Sequence, residues 1–466
     1  MTTLSATRSA SGKVARIADT SRHTREELIE QGRELRKVAP RSSHGDWAPE
    51  PDRPDPVALL ERSNRSRVPD LVPIRYGRML HSPFTFYRGA PAVMSWDLSH
   101  TPSTGIYIQA CGDAHLLNFG GYGTPERRLV FDVNDFDESL PAPWEWDLKR
   151  LLASIVIAAR TAGFAARDAE MTMSGARAYA TQMARLTSMT TLDIRYALID
   201  VDELALRASD PVSRKALSDF AAVARTHTTL QALDKLTAVV DGRRVIVDHP
   251  PLIVRFPDPR RPELVREFLR RYKQTLTDDR RHLLDQYHVV DVARKVVGVG
   301  SVGLEALIVL LQGRAARDPL FLQVKQAEAS VLEAYAGRSA YPRHGRRVVA
   351  GQRLVQATSD LFLGWSAMEG QDFYVRQLRD MKGTIDLDHT SAEVMVRYAA
   401  ICGATLARAH ARSAGPGLIT GYIGDSDRFA TAVVAFAQRY ADQVQLDYEA
   451  LVEAAATGRI HAVEGR

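Results

Sequence analysis

The sequence predicts an α+β protein, because strand-like and helical patterns alternate along its 466 residues. Short apolar and aromatic runs broken by glycine and proline, typical of strands and tight loops, lie between Leu71 and Val133 and again after about residue 291. Elsewhere apolar residues recur every three or four positions, which indicates helices. With 45% hydrophobic and 25% charged residues, a chain of this length can bury large cores without disulfides or a structural metal.

The first half of the chain divides into three stretches. Residues 1–55 are rich in serine, threonine, arginine, aspartate and proline, which predicts a mostly flexible N-terminal arm with one short helix around TREELIEQGRELRKV. The stretch from Leu71 to Val133 predicts strands and loops, with FTFYRGAP among the strands. The stretch from Trp144 to about Leu233 is mainly helical by its apolar spacing.

The second half begins with a helical segment at 261–291. ARKVVGVGSVGLEALIVLLQG and PLFLQVKQA then predict three strands in succession, the last two joined by the polar turn RAARD. A helix after Arg343, the strand DFYVRQL, and two long helices at about 391–413 and 427–456 complete the chain.

Composition excludes several classes of protein. Cys111 and Cys402 are the only cysteines, so a disulfide framework and a multi-cysteine zinc site are excluded, and we expect a reducing compartment. The first thirty residues contain no apolar signal region, and no stretch reaches the ~18 apolar residues of a membrane span. The net charge of +5 comes from arginines interleaved with acids. We therefore expect a cytoplasmic protein with neither a membrane nor a nucleic acid as partner.

The segment CGDAHLLNFGGYGTPERRLVFDVNDFDE, residues 111–138, concentrates acids and an amide. Asp113, His115 and Asn118 fall in a loop, and the acids Asp132, Asp135 and Asp137 fall at the end of a strand. A carboxylate that orients a hydroxyl, an amide five residues on and a second carboxylate from a neighbouring hairpin suit magnesium-assisted phosphoryl transfer. Taken separately, GDAH and NDFDE are each also common as polar turns.

A second segment contains a G-x-G-x-x-G pattern at Gly298, Gly300 and Gly303, followed by Lys325 at the end of PLFLQVK. In dinucleotide-binding proteins this glycine pattern stands at the start of a helix, and an acidic residue follows about 20 residues later. Here another apolar strand follows the glycines, which favours a hairpin. Such a hairpin can fold its backbone amides over phosphates that a strand lysine pairs with. Ordinary strand glycines and a snorkelling lysine are the structural alternative.

These segments together resemble kinase-like enzymes, including aminoglycoside phosphotransferases and choline kinases. GDAHLLN followed by a strand and DFDE resembles their catalytic loop and metal-binding aspartate, with Asp113 and Asn118 at the five-residue spacing. WEWDLKRLLASI resembles the next helix, in which Asp147 would brace the loop. VVGVGSVG and FLQVK resemble the glycine-rich loop and strand lysine of the small lobe, and DFYVRQL with RDMKG resembles the strand and hinge between the lobes.

The order of the motifs departs from that of ordinary kinases, since the large-lobe motifs at 111–150 precede the small-lobe motifs at 295–380. The resemblance therefore implies a bilobal protein-kinase-like fold that is circularly permuted, with a mainly helical large lobe and a strand-rich small lobe. SAEVMVRYAAICGATLARAHARSAG would replace the helix that normally precedes the catalytic loop. Permutation is tolerable because contacts, not chain order, assemble a site. The predicted units are the arm at 1–55, a large-lobe region at 56–284, a small lobe at 285–380, and C-terminal helices at 381–466 that complete the large lobe.

From about residue 30 to its end, the chain also resembles an uncharacterised bacterial family, domain of unknown function 2252. Segments that carry this resemblance are VPIRYGRM, SPFTFYRG, GDAHLLNFG, NDFDES, WEWDLKRL, RLVQATSDLFLGW and FYVRQLRDMKG. The resemblance brings no substrate.

The kinase-like resemblance implies an ATP- and Mg²⁺-dependent phosphotransferase acting on an unidentified acceptor, a small-molecule hydroxyl by analogy with the antibiotic and choline kinases. Asp113 would orient or deprotonate the acceptor. Asn118 and Asp135 would hold Mg²⁺, and Asp132 competes with Asp135 because its fourteen-residue gap from Asn118 is nearer the usual spacing. The nucleotide would be bound by Gly298, Gly300, Ser301, Gly303 and Lys325.

Several points stay open at this level. Lys325 needs an acidic partner, for which Glu328 and Glu333 are candidates at an unusual distance along the chain. Arg88 either binds a phosphate or carboxylate of a substrate or stacks structurally. Adenylyl transfer with the nucleotide inverted is an alternative reaction. A nucleotide-binding pseudokinase that uses the basic arm for interactions is another, although the intact motif set argues against it.

Overall fold

The structure is a computed structural model that describes residues 13–255, 261–296, 298–315, 317–378 and 380–463. Eighteen α-helices and twelve β-strands lie within these ranges, which confirms the α+β class. The helices are α1 (Arg25–Glu34), α2 (Pro56–Ser63), α3 (Val72–Met79), α4 (Pro83–Gly89), α5 (Pro91–Ser99), α6 (Trp144–Thr161), α7 (Asp168–Thr187), α8 (Thr191–Tyr196), α9 (Val201–Arg207), α10 (Pro211–Thr226), α11 (Thr229–Leu236), α12 (Arg261–Lys273), α13 (Asp278–Leu284), α14 (Glu333–Ala336), α15 (His344–Val355), α16 (Ala392–Ala411), α17 (Pro416–Ile423) and α18 (Arg428–Ala456). The strands are β1 (Tyr107–Ala110), β2 (Phe119–Gly123), β3 (Leu129–Val133), β4 (Leu140–Pro143), β5 (Thr237–Val240), β6 (Arg243–Ile246), β7 (Ile253–Arg255), β8 (His288–Lys295), β9 (Ala306–Gln312), β10 (Pro319–Ala327), β11 (Gly364–Met368) and β12 (Gln371–Gln377).

The largest sheet has six antiparallel strands in the order β11-β12-β10-β9-β8-β7. Its central strand β9 is apolar at successive positions because helices cover both faces of the sheet. Val309 packs with Phe268 of α12 on one face, whereas Ile308 packs with Leu233 of α11 on the other. The sheet reaches beyond the predicted 285–380 unit, since β7 pairs with β8 as the sixth strand.

The helical part of the molecule is built around α6. Every residue from Trp144 to Ala159 is buried, because α7, α16 and α18 and the small sheets surround this helix. The predicted long C-terminal helices are confirmed as α16 and α18. None of the described helices combines the length and the apolarity needed to cross a membrane.

Two glycines allow α7 and α16 to cross closely. A Cβ added to Gly403 would stand 2.1 Å from the carbonyl oxygen of Gly175, which is backbone and cannot rotate away. We expect Gly403→Ala to lower the free energy of unfolding by about 1–3 kcal/mol, the usual cost of overpacking a core. Chemical denaturation measures this change. An unchanged midpoint in Gly403→Ala would contradict the close crossing.

The N-terminal region carries the predicted short helix, which is confirmed as α1. This helix lies against α17, where a Cβ on Gly32 would meet the carbonyl oxygen of Leu418 at 2.1 Å. Residues 1–12 of the predicted arm lie outside the described residues.

The prediction that FTFYRGAP forms a strand is wrong, since this stretch forms α4. Ser82 caps the helix by accepting from the backbone N–H of Thr85, and the Thr85 hydroxyl accepts in return from the backbone N–H of Ser82. Pro83 occupies the first turn, where its missing N–H costs nothing. The capping residues therefore outweigh the strand preference of the aromatic side chains.

Candidate functional site

The loop 111–118 connects β1 to β2 and is held by α6. The Asp147 carboxylate accepts from the backbone N–H groups of Cys111 at 2.7 Å and of Gly112 at 2.9 Å. Gly112 has a φ of 82°, and a Cβ there would lie 2.3 Å from the carbonyl oxygen of Glu138. Asp147 thus braces the loop, which is the role that the resemblance implied for it.

Asp113 lies in this loop with its side chain 18% exposed. Arg150, three residues after Asp147 on α6, donates from Nε to Asp113 Oδ1 at 2.6 Å. Burial raises the pKa of Asp113, although the Arg150 guanidinium opposes the shift. A carboxylate whose pKa is raised towards neutrality is a stronger proton acceptor than an ordinary aspartate.

Asn118 and Asp135 supply oxygen atoms that suit a hard cation. Asn118 Nδ2 donates to the carbonyl oxygen of Asp113 at 2.6 Å, which turns its Oδ1 away from the loop backbone. Asp135 Oδ1 is buried without a hydrogen-bond partner, and Lys325 Nζ lies 3.7 Å from it. Within the described ranges, no three His, Cys, Asp or Glu side chains group closely enough to hold a metal by themselves. These two residues fit Mg²⁺ only with water and phosphate oxygens as its other ligands.

Lys325 lies on β10 and is buried against acids from the 111–138 segment. Its Nζ donates to Asp137 Oδ2 at 2.6 Å, and the Tyr374 hydroxyl donates to Asp137 Oδ1 at 2.6 Å. Burial disfavours ionised Asp137, but Lys325 and Tyr374 hold its pKa below the usual value. Neither Glu328 nor Glu333 forms the ion pair, so those candidates are wrong.

The glycine-rich segment connects the antiparallel strands β8 and β9, as the hairpin prediction requires. Gly298 and Gly303 have positive φ values of 63° and 92°. Residues in or near α3 hold the segment from outside, since the backbone N–H of Val68 donates to the carbonyl oxygen of Gly303 at 2.8 Å and Arg78 donates to that of Gly298. Ser301 Oγ donates to Asp137 Oδ2 at 3.2 Å. Val297 of this segment and Arg379 of the predicted hinge lie outside the described residues.

A cavity of about 260 Å³, which we call the central cavity, brings the two segments together. Of the predicted site residues, its wall contains Asp113, Asn118, Asp135, Gly298, Gly300 and Ser301. Lys325 reaches it through Asp137, which is also part of the wall. Gly303 is not part of the wall and packs on Arg67 instead.

Asp132 is not brought to the central cavity. It is fully buried and forms an ion pair with Arg408 of α16. Its Oδ2 also accepts from the backbone N–H of Ala357 at 2.8 Å. Because protein donors occupy both of its oxygens, Asp132 links β3 to α16 and offers no ligand to a metal, so Asp135 is the carboxylate of the pair that faces the cavity.

A second cavity of about 980 Å³, the side cavity, shares Asn118 and Asp135 with the central cavity. Arg376 and Lys382 also line it. Burial and the neighbouring Arg376 lower the pKa of Lys382 to about 7. Asn118 and Asp135 therefore line both cavities, whereas Arg376 and Lys382 line the side cavity but not the central cavity.

Sequence reasoning missed three features of the site: the roles of Arg150 and Arg67, and the ion pair of Asp137 with Lys325. Arg150 could have been found, since it follows Asp147 by three residues and therefore lies on the same face of α6. Asp137 and Arg67 could not be assigned from spacing, because their partners come from distant parts of the chain: Lys325 is 188 residues from Asp137.

The model of a protein family described as "Uncharacterized protein conserved in bacteria (DUF2252)" matches residues 67–454, most of the chain. Neither the curated proteins nor the solved structures contain a match.

Proposed function

The chain belongs to the DUF2252 family of uncharacterised bacterial proteins, and we propose that it is an ATP- and Mg²⁺-dependent phosphotransferase with a circularly permuted kinase-like fold. The observation that carries the proposal is the central cavity, where Asp113, Asn118 and Asp135 meet the glycine-rich segment and the Lys325–Asp137 pair. These groups are far apart in sequence, and the resemblance predicts that they converge.

The order of elements in the six-stranded sheet supports the kinase-like part of the proposal. The glycine-rich segment connects β8 to β9, Lys325 lies on the next strand β10, and α15 precedes β11 and β12. Kinase-like enzymes place a glycine-rich loop over the phosphates and a lysine on the third strand.

The end of α16 supports the permutation. The backbone N–H of Gln109, just before the catalytic loop, donates to Ser413 Oγ at 3.0 Å, although the two residues are 304 positions apart. The Tyr398 hydroxyl on the same helix donates to the carbonyl oxygens of Leu116 and Phe119. These contacts join α16 to the loop 111–118, which supports the proposal that α16 replaces the helix that normally leads into the catalytic loop.

In this reaction Asp113 Oδ2, the oxygen that Arg150 does not bond, orients the acceptor hydroxyl and takes its proton. Backbone amides of the glycine-rich segment and Lys325 hold the phosphates of the nucleotide. Asn118 and Asp135 would hold Mg²⁺, which would supply charge neutralisation at the transferred phosphoryl group. The contribution of the chain is positioning and charge neutralisation.

A second candidate is adenylyl transfer, which the cations of the side cavity favour. Arg376 and Lys382 can hold a polyphosphate there, with the α-phosphate directed towards the central cavity. The mass of the product separates the two reactions, because an AMP addition and a phosphoryl addition differ in mass.

We expect ATP to raise the midpoint of thermal unfolding only when Mg²⁺ is present. A ligand at 100 times its dissociation constant stabilises a fold by about 2.7 kcal/mol. Differential scanning fluorimetry with ATP, ATP plus Mg²⁺, and NAD as a control measures the effect. No shift with millimolar ATP and Mg²⁺, or an equal shift with NAD, would contradict the proposal.

A further inference from the structure

Arg88, at the end of α4, is a wall residue of the central cavity that forms no ion pair with the described part of the chain. Its Nε is buried without a hydrogen-bond partner. Its backbone lies beneath the glycine-rich segment, since a Cβ on Gly300 would stand 3.3 Å from the Arg88 carbonyl oxygen. A guanidinium taken out of water without a counter-charge costs free energy, so its position requires a reason.

The nearby acids do not neutralise Arg88. Asp113 and Asp135 attract it, but Asp113 Oδ1 is bonded by Arg150 and Asp135 is the proposed metal ligand. Burial lowers the pKa of Arg88 despite these two carboxylates. No carboxylate of the described chain forms an ion pair with Arg88, so its guanidinium has no bonded counter-ion within that part of the protein.

Two further arginines line the same cavity, and their roles differ from that of Arg88. Arg75 is buried and donates to Asn64 Oδ1, to Ser63 Oγ and to the carbonyl oxygen of Gly89. Arg67 donates to the carbonyl oxygens of Ser63 and Val302. These two guanidinium groups are held by the protein but add positive charge at the cavity wall. Arg75 Nε is also buried without a partner, but both terminal nitrogens of Arg75 are bonded, whereas no hydrogen bond within the described chain involves the Arg88 guanidinium.

We propose that Arg88 binds an anionic group, a phosphate or a carboxylate, on the acceptor itself, so that the acceptor is an anion and not a cation such as choline or an aminoglycoside. The assignment to the acceptor rests on the proposed function, because it is the role of Asp113 that makes this end of the cavity the acceptor end. Guanidinium groups bind both anions in bidentate geometry. The wall also contains the acids Asp137, Glu138 and Glu328, so it is the unpaired guanidinium of Arg88, and not the total charge of the wall, that selects an anion.

The test is isothermal titration of the full chain with inorganic phosphate, with and without a saturating non-hydrolysable ATP analogue and Mg²⁺. We expect phosphate to bind in both conditions, choline chloride to bind in neither, and Arg88→Gln to weaken phosphate binding by about 10- to 100-fold. Arg177→Gln, which removes an exposed arginine paired with Asp427, is the matched control and should bind phosphate like the wild type.

Three outcomes would overturn the proposal. Equal phosphate affinity in Arg88→Gln would mean that this side chain does not bind the anion. Loss of phosphate binding when the ATP analogue is present would assign Arg88 to the nucleotide. A lower unfolding midpoint in ligand-free Arg88→Gln than in Arg177→Gln would indicate that Arg88 is a structural arginine. If Arg88 is an unpaired charge, the midpoint of Arg88→Gln should be at least as high as that of Arg177→Gln. Phosphate binding through Arg88 without any ATP-dependent shift would contradict the proposed function and leave the anion site standing.

Discussion

Replacing Asp113 with asparagine should lower the turnover number by about 10²- to 10⁴-fold, the range that a positioned general base contributes. Asparagine keeps the shape of the side chain, and its Oδ1 can still accept from Arg150, but it cannot take a proton. The Asp113 carboxylate lies in the wall of the central cavity and makes no contact that the nucleotide phosphates would need. ATP with Mg²⁺ should therefore still raise the unfolding midpoint of the variant.

The pH profile gives a second readout of the same group. Burial raises the pKa of Asp113, so the carboxylate is protonated, and inactive as a base, at a higher pH than an ordinary aspartate. The wild-type kcat/KM should fall on the acidic side with a midpoint above about 3.9, the usual aspartate pKa. Arg150→Gln should move this midpoint further up, because Arg150 favours the ionised carboxylate.

Asp427→Asn is the control for the Asp113 variant, since Asp427 is an exposed aspartate that also pairs with an arginine, Arg177. Its turnover should equal that of the wild type. If Asp113→Asn kept full turnover, Asp113 would be a loop residue and the assignment of the active site would be wrong. If it lost turnover together with the ATP-dependent shift, its role would be binding and not catalysis.

The parts of the fold that the sequence predicts correctly are those whose pattern is decided locally. The long helices α16 and α18 and the strands β9 and β10 have clear apolar periods or continuous apolar runs between turns, whereas the first half of β8 lies in the segment predicted as helical, 261–291. FTFYRGAP has no such period, because the aromatic residues of α4 are buried on most sides and fit a strand as well as a helix. The capping residues Ser82 and Pro83 are the local signal that distinguishes the two.

The candidate site could be predicted from the sequence only in part. The motifs predict which short segments carry chemistry, and the central cavity brings six of the predicted residues together. Partners across the site are decided by tertiary structure: the acid for Lys325 comes from 188 residues away, and spacing arguments can only search nearby acids such as Glu328. Likewise Asp132 and Asp135 are three positions apart, and only their placement shows that Arg408 occupies the first and leaves the second facing the cavity.

The variants Asp132→Asn and Asp135→Asn should therefore fail in opposite ways. Asp132→Asn leaves the fully buried Arg408 without its counter-charge, and breaking a buried ion pair in this way costs about 3–5 kcal/mol of unfolding free energy. Asp135→Asn removes a carboxylate that is 33% exposed, and the buried Lys325 keeps Asp137 as its hydrogen-bonded counter-charge, so the unfolding free energy should fall by much less than in Asp132→Asn. It should instead lose the Mg²⁺-dependent part of the ATP-induced stabilisation.

Chemical denaturation and ATP titrations in the presence and absence of Mg²⁺ measure both effects on the same samples. The double variant Asp132→Asn/Arg408→Met is the control for the ion pair. Because it leaves no buried charge unpaired, its loss of unfolding free energy should be smaller than the sum of the losses in the two single variants. The reverse pattern, with Asp132→Asn folding normally and losing the Mg²⁺ response while Asp135→Asn keeps it, would make Asp132 the metal ligand. That result would also require α16 to move away from β3, because Arg408 occupies the carboxylate of Asp132 in this structure.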